Sequence, residues 1–171
     1  MRPYFLLICA TLWGVASGCM PDEHDHRAHH DADTSRTHRQ AEVAARGAEV
    51  MPFDLDRTIH VFEETEDGGV QRVLVRDEGD REQVVLIRQH LREQAARFAR
   101  GDFSAPAQIH GEAMPGLREL ASGADRLEVR YEDIPGGALI RYVSSDTALV
   151  RALHRWFAAQ RRDHGRHARG H

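Results

Sequence analysis

TIHVFE (residues 58–63), DGG (67–69) and VQRVLVR (70–76) read in order as strand, turn and strand. β-branched and aromatic residues fill the two runs, and a glycine pair sits where the chain must reverse. An amphipathic helix follows over about 80–100, with Val84, Ile87, Leu91, Ala95 and Phe98 at i, i+3, i+4 spacing and Gly101 at its end. The same order then recurs. LEVRYE (127–132), PGG (135–137) and ALIRYV (138–143) make a second hairpin, and Asp146 caps a helix in which Leu149, Leu153, Trp156, Phe157 and Gln160 share a face. Val61 aligns with Val129, Gly68-Gly69 with Gly136-Gly137, and Val75 with Val143, at a constant offset. A hairpin plus one helix cannot enclose a core, whereas two such units can. The sequence therefore predicts an α+β fold in which two ββα repeats form a four-stranded, largely antiparallel sheet with both helices on one face. Alternation along the first strand puts Ile59 and Val61 toward the helices and His60 on the opposite face.

Between the repeats, DFSAPAQIHGEAMPGLRELASG (102–123) reads as a loop with a short helix near 115–121. It is the segment available to cover the second sheet face, and it carries His110 and Met114 around Gly111. Imidazole and thioether together suit a soft ion such as Cu(I), and imidazole alone suits Zn(II) or Cu(II). His60, His110 and Met114, with Met51 nearby, are thus a candidate metal site. The structural alternative is that Met114 fills a core gap and His110 caps a turn. His90 sits on the rim of its helix. His154 faces away from the apolar stripe and reads as solvated. His164, His167 and His171 belong to a polar end, with residues 165–171 read as a disordered His-rich tail.

Upstream of residue 51 the composition shifts. Tyr4–Val15 is an apolar run after Met1-Arg2, too short to cross a bilayer and of a length suited to a signal peptide. Ala16-Ser17-Gly18-Cys19 resembles the bacterial lipobox, so residues 1–18 read as a lipoprotein signal peptide and Cys19 as the lipidated N-terminus of the mature chain. Residues 19–50 then read as a disordered linker rich in His and Asp, with a weak helix toward its end that Gly47 opposes. His24, His26, His29 and His30 in that linker are a second, compositional candidate for loose Cu or Zn binding. The domain itself is residues 51–164.

The 171 residues carry 27 acidic groups against 23 arginines and no lysine, for a net charge of −4. Without a basic stripe this is a poor nucleic-acid binder. Both cysteines, Cys9 and Cys19, precede the domain, which excludes a disulfide framework, a cysteine nucleophile or a thiolate metal site within it. No nucleophile elbow, P-loop, zinc-protease helix or dinucleotide fingerprint is present, so the sequence leans away from an enzyme.

MPFDLD (51–56) with TIHVF (58–62), IHGEAMPGL (109–117) and LHRWFAAQRRDHG (153–165) resemble the corresponding runs of a family of short bacterial proteins, some of which carry the name aspartate carbamoyltransferase. The resemblance covers residues 51–165. Transcarbamylases proper have two α/β domains and a phosphate-binding Ser-Thr-Arg-Thr-Arg motif. The nearest string here, Thr34-Ser35-Arg36-Thr37, lies in the linker and differs from it, so no catalytic residue is carried over. The expectation is a lipid-anchored protein of the bacterial envelope, periplasmic or at the outer membrane, that binds or buffers copper or zinc. The alternative is a non-catalytic module that holds an envelope protein through an apolar patch at Phe62, Leu74 and Tyr142. A transferase is the third reading.

Overall fold

The computed structural model describes residues 23–170, with side chains from residue 33 onward. Helix α1 (Glu23–Val50) leads into β1 (Thr58–Thr65), β2 (Gly68–Val75) and α2 (Arg81–Phe98). Two short helices, α3 (Ser104–His110) and α4 (Leu117–Ser122), fill the stretch between the hairpins. The second unit is β3 (Glu128–Ile134), β4 (Gly137–Val143) and α5 (Thr147–His164), after which a short strand β5 (Ala168–Arg169) closes the chain. The fold is α+β and the strand–strand–helix order recurs as read from the sequence.

The sheet has five strands in the order β3-β4-β2-β1-β5. The four hairpin strands pair antiparallel, and β5 adds to the outer edge of β1 in parallel. The hairpins meet through β2 and β4, where Gly68 pairs with Val143 and Val73 with Ala138. Each helix crosses to the other unit: α2 packs mainly on β4 and β3, and α5 on β1 and β2. Neither helix packs mainly on its own hairpin, which is the structural reason why one unit alone has no core. Gly137 makes the junction possible, since a Cβ there would stand 2.0 Å from the Val73 carbonyl oxygen.

Three expectations are corrected. The first concerns β1, whose phase is opposite to that expected. His60, Phe62, Val73, Ile140 and Tyr142 share the face under the helices, where Phe62 meets Phe157 and Tyr142 meets Phe98 and Trp156. Val61 lies on the other face and is still buried, beside the Arg72–Glu63 ion pair at 2.6 Å. Apolar residues are thus buried on both faces of β1, and alternation alone could not fix which way His60 points. The same phase places Phe62 and Tyr142 in the core, so the apolar patch expected around them and Leu74 does not form.

The second correction is the linker. Cys19 and residues 1–18 lie outside the described residues, but Glu23–Val50 is one helix rather than a disordered tether. Its last turns dock on α5 and α3 through a stripe of Arg39, Val43, Gly47 and Val50. Gly47, which counts against a helix by propensity, sits where Met51 Cε would come within 2.7 Å of a Cβ; its lack of a side chain lets the next segment fold back. His24, His26, His29 and His30 ride on α1, and their side chains are outside the description.

The third is the tail. Residues 165–167 form a short 3-10 turn and residues 168–169 form β5, with His164 and His167 buried rather than solvated. His167 Nε2 bonds Asp56 Oδ1 at 2.9 Å, and Arg166 reaches the same oxygen at 2.8 Å. His154 is also tied down, its Nε2 facing the Thr65 and Gly68 carbonyls at 3.1 and 2.9 Å.

Candidate functional site

The phase of β1 brings His60 into a cavity of about 50 Å³ between the sheet, α2, α3 and α5. His60 comes from β1, His90 and Gln94 from α2, His110 from the end of α3, and Trp156, Gln160 and His164 from α5. Met51 closes one side. His60 and His164 stack with ring centroids 4.9 Å apart and an interplanar angle of 8°. His110 meets His164 edge-on at 5.0 Å. Phe53 packs between His60 and His90 at 5.8 and 5.5 Å.

Two of the three residues proposed for the domain site are thus brought together and one is not. His60 and His110 share the cavity, and His164 stands between them. Met114 is buried in the core but does not line the cavity; it belongs with the Glu112–Glu119 turn on the far side of α3. Met51, mentioned as a neighbour from sequence, is a lining residue of the cavity.

Burial decides the charge state of the rings. It pushes His60 down to about 3, with the nearby His90 adding to the effect and a hydrogen bond to the His167 backbone opposing it. Burial takes His90 to about 4 and holds His164 far below the ordinary imidazole range. These three imidazoles are neutral at pH 7, the form that ligates metals.

His110 has a different support. Its Nδ1 donates to Asp163 Oδ2 at 3.1 Å. Arg39 of α1 donates to the same carboxylate oxygen at 3.0 Å and to the His110 backbone carbonyl at 2.6 Å, and Arg162 reaches the second carboxylate oxygen. Burial pushes the Asp163 carboxyl up, but the hydrogen bonds from His110 and Arg39 outweigh it and hold it well below the usual range. An ionised Asp163 accepts from Nδ1 and fixes the orientation of the ring at the cavity edge.

The polar inventory of the cavity does not balance. Apart from Arg46, every buried side-chain nitrogen or oxygen without a hydrogen-bond partner among the described residues belongs to a residue lining this cavity: His60 Nδ1, His164 Nδ1, Gln94 Oε1, Gln160 Oε1 and Trp156 Nε1. By contrast Gln71, which also lines it, accepts from Tyr142 Oη at 3.0 Å. Such groups are costly to leave unpaired, and five of them sit on residues around this one cavity. Among the described residues no three His, Cys, Asp or Glu side chains stand in a ready-made coordination set.

Asp163, Arg39 and Gln94 were not singled out from sequence, Trp156 and Gln160 were read only as part of the inward face of their helix, and His164 was read as tail. One signal for His164 was available: the stripe Leu149, Leu153, Trp156, Gln160 continues one turn on to His164. Nothing in the sequence pointed to Arg39, which meets Asp163 across 124 positions. The chain matches no family model, no curated protein and no solved structure.

Proposed function

We propose that this domain binds one transition-metal ion, Zn(II) or copper, in the histidine-lined cavity, and that Cys19 tethers it by lipid to a surface of the bacterial envelope. The observation that carries the metal reading is the meeting of His60, His110 and His164 in one buried space, with Nδ1 of both stacked rings unpartnered. Neutral imidazoles suit these ions, and Met51 at the cavity wall adds a soft donor for Cu(I). The Asp163–His110 pair supports the reading, because ligating histidines are oriented by a carboxylate on the other ring nitrogen. Because the His60 and His164 rings lie parallel, one of them would have to turn for both to hold the same ion.

The tether reading rests on the lipobox-like 16–19 segment. No helix among the described residues is long and apolar enough to cross a membrane. The part of α1 before the docked Arg39, 16 residues, would span roughly 24 Å at 1.5 Å per residue between the domain and a surface.

The test is titration of the full chain with Zn(II), and with Cu(I) under anaerobic conditions, in a background where His24, His26, His29 and His30 are alanine. One tight site per chain that is lost in His60→Ala and His164→Ala is the expected result. Absence of uptake in that background overturns the metal reading. Intact mass of envelope-purified chain, showing acylated Cys19 at the N-terminus, tests the tether.

A further inference from the structure

The two edges of the sheet are finished differently. At one, β5 pairs with His60 and Val61 of β1. At the other, among the described residues, no strand pairs with the outer side of β3. β3 pairs with β4 without a break from Glu128 to Ile134 and holds no proline or bulge, the usual devices that blunt an edge. The register tells which backbone groups point outward. Val75 N–H donates to the Gly136 carbonyl and Ser144 N–H to that of Asp67, both at 2.9 Å, so even-numbered positions along β4 turn their backbone to β2. Odd-numbered residues of β4 then bond the even-numbered residues of β3. The N–H and C=O groups of Val129, Tyr131 and Asp133 face away from the sheet. Among the described residues Arg88 bonds the Ile134 carbonyl at 3.0 Å, and no turn or side chain meets the backbone of these three.

The side chains hold this edge in shape and mark it with charge. On the helix side Arg92 lies over the Tyr131 ring at 5.0 Å, and Arg88 and Arg92 reach Asp133 at 3.5 and 3.3 Å. On the open side stand Glu128, Arg130 and Glu132, all exposed. Arg130 pairs with Glu128 and lies directly across from Arg141, like charge beside like. Glu132, across from Leu139, has no ion pair among the described residues.

We infer that β3 pairs antiparallel with β3 of a second copy about a two-fold axis through Tyr131, joining the two sheets into one. Tyr131 is the midpoint of Glu128–Ile134, so the strands overlap along their whole length. Tyr131 exchanges backbone bonds with Tyr131 of the second copy, and Val129 with its Asp133. Arg130 of each copy then faces Glu132 of the other in a close pair, with Cα atoms about 4.5 Å apart. Other registers fail. An axis through an even-numbered residue meets backbone already bonded to β4. One through Asp133 sets that carboxylate against itself, and one through Val129 leaves only residues 128–130 of the strand paired. The opposite edge ends in the two-residue β5, too short to template another strand, so assembly stops at the dimer.

The experiment is sedimentation velocity on the full chain in mild detergent, from about 1 μM to about 1 mM, the range suited to a small contact. A concentration-dependent dimer is expected. Arg130→Glu and Glu132→Arg each set like charges together at both contacts and should weaken it roughly tenfold or more. Mixed in equal amounts, the two variants should form a heterodimer in which both contacts are opposite again, and the double variant should dimerise as the wild type does. Amide exchange at Val129, Tyr131 and Asp133 should slow as concentration rises. A wild-type chain that stays monomeric to about 1 mM overturns the inference. So does a dimer that neither substitution weakens, or one whose loss in both single variants is rescued neither by mixing them nor by the double variant.

Discussion

Two clusters meet at Trp156 and differ in what they leave unsatisfied. On one side Phe98, Phe103, Tyr142 and Phe157 surround the indole, with Phe98 and Phe103 stacked at 4.6 Å and the others edge-on or tilted between 5.7 and 6.4 Å. Burial and dispersion stabilise that cluster, and its one phenol is bonded to Gln71. On the other side, within the same pair of helices, lies the histidine cavity, where five polar atoms have no partner. The aromatic cluster holds α2 and α5 on the sheet. The cavity is the place where stability is given up, and such exceptions to local rules gather at functional sites.

The largest expected effect falls on the aromatic side. Phe157→Ala removes a fully buried ring that touches Phe62, Tyr142 and Trp156. The transfer and cavity costs together come to about 3–5 kcal/mol, read as a lower urea midpoint with unchanged slope. A loss below about 1 kcal/mol would mean that this cluster is not the mechanical centre of the fold.

The second expectation sharpens the contrast through pH. His60, His90 and His164 are neutral when folded, with His60 near 3 and His90 near 4 against an unfolded value near 6.5. Below pH 6.5 the unfolded chain binds protons that the folded chain refuses, so stability falls as pH drops from about 6.5 toward 4. Asp163 works in the same direction at lower pH, since its depressed folded value loses its contribution only below the ordinary carboxylate range. Thermal melts between pH 7 and 4.5 check the histidine window. His164→Gln should flatten the curve there, and a wild-type melting temperature constant across it would refute neutral burial of the rings.

Asp163→Asn probes the edge of the cavity. It keeps the shape but leaves Arg39 facing a neutral amide and frees the His110 tautomer. Breaking a buried pair from one side costs about 3 kcal/mol at most here, since Arg39 is itself partly exposed and regains water. Metal affinity should fall by roughly 10–100-fold, the usual cost of losing a carboxylate behind a ligating histidine. Stability lost without any change in affinity would assign Asp163 to α1 docking alone.

The sequence displayed the scaffold more fully than the site, for physical reasons. Strands, turns and helices follow from local periodicity, and both hairpins with α2 and α5 lie within a few positions of where their patterns placed them. His110 and His60 were found because ligand chemistry is visible in a residue type. The facing of His60 was not, because Val61 and Phe62 are both buried and β1 has no polar side to set its phase. Met114 was misplaced because proximity in sequence does not survive the turn at Gly111, whose φ is +89°. Arg39 and Asp163 were invisible, since a helix of low amphipathicity finds its place only when α3 and α5 exist to receive it.

The smallest expected effect separates the two clusters most cleanly. Gln160 is 5 % exposed, as inaccessible as the aromatic residues one turn before it, yet its carbonyl oxygen has no partner. Replacing a buried, unsatisfied polar group by an apolar one of similar size removes a desolvation penalty and loses no hydrogen bond. Gln160→Leu should therefore leave the metal-free protein unchanged or up to about 1 kcal/mol more stable, where a truncation of comparable burial in the aromatic cluster destabilises. A metal-free variant destabilised by more than about 1 kcal/mol would show that Gln160 is part of the scaffold. The boundary between holding the fold and holding a guest would then have to be drawn closer to the three histidines.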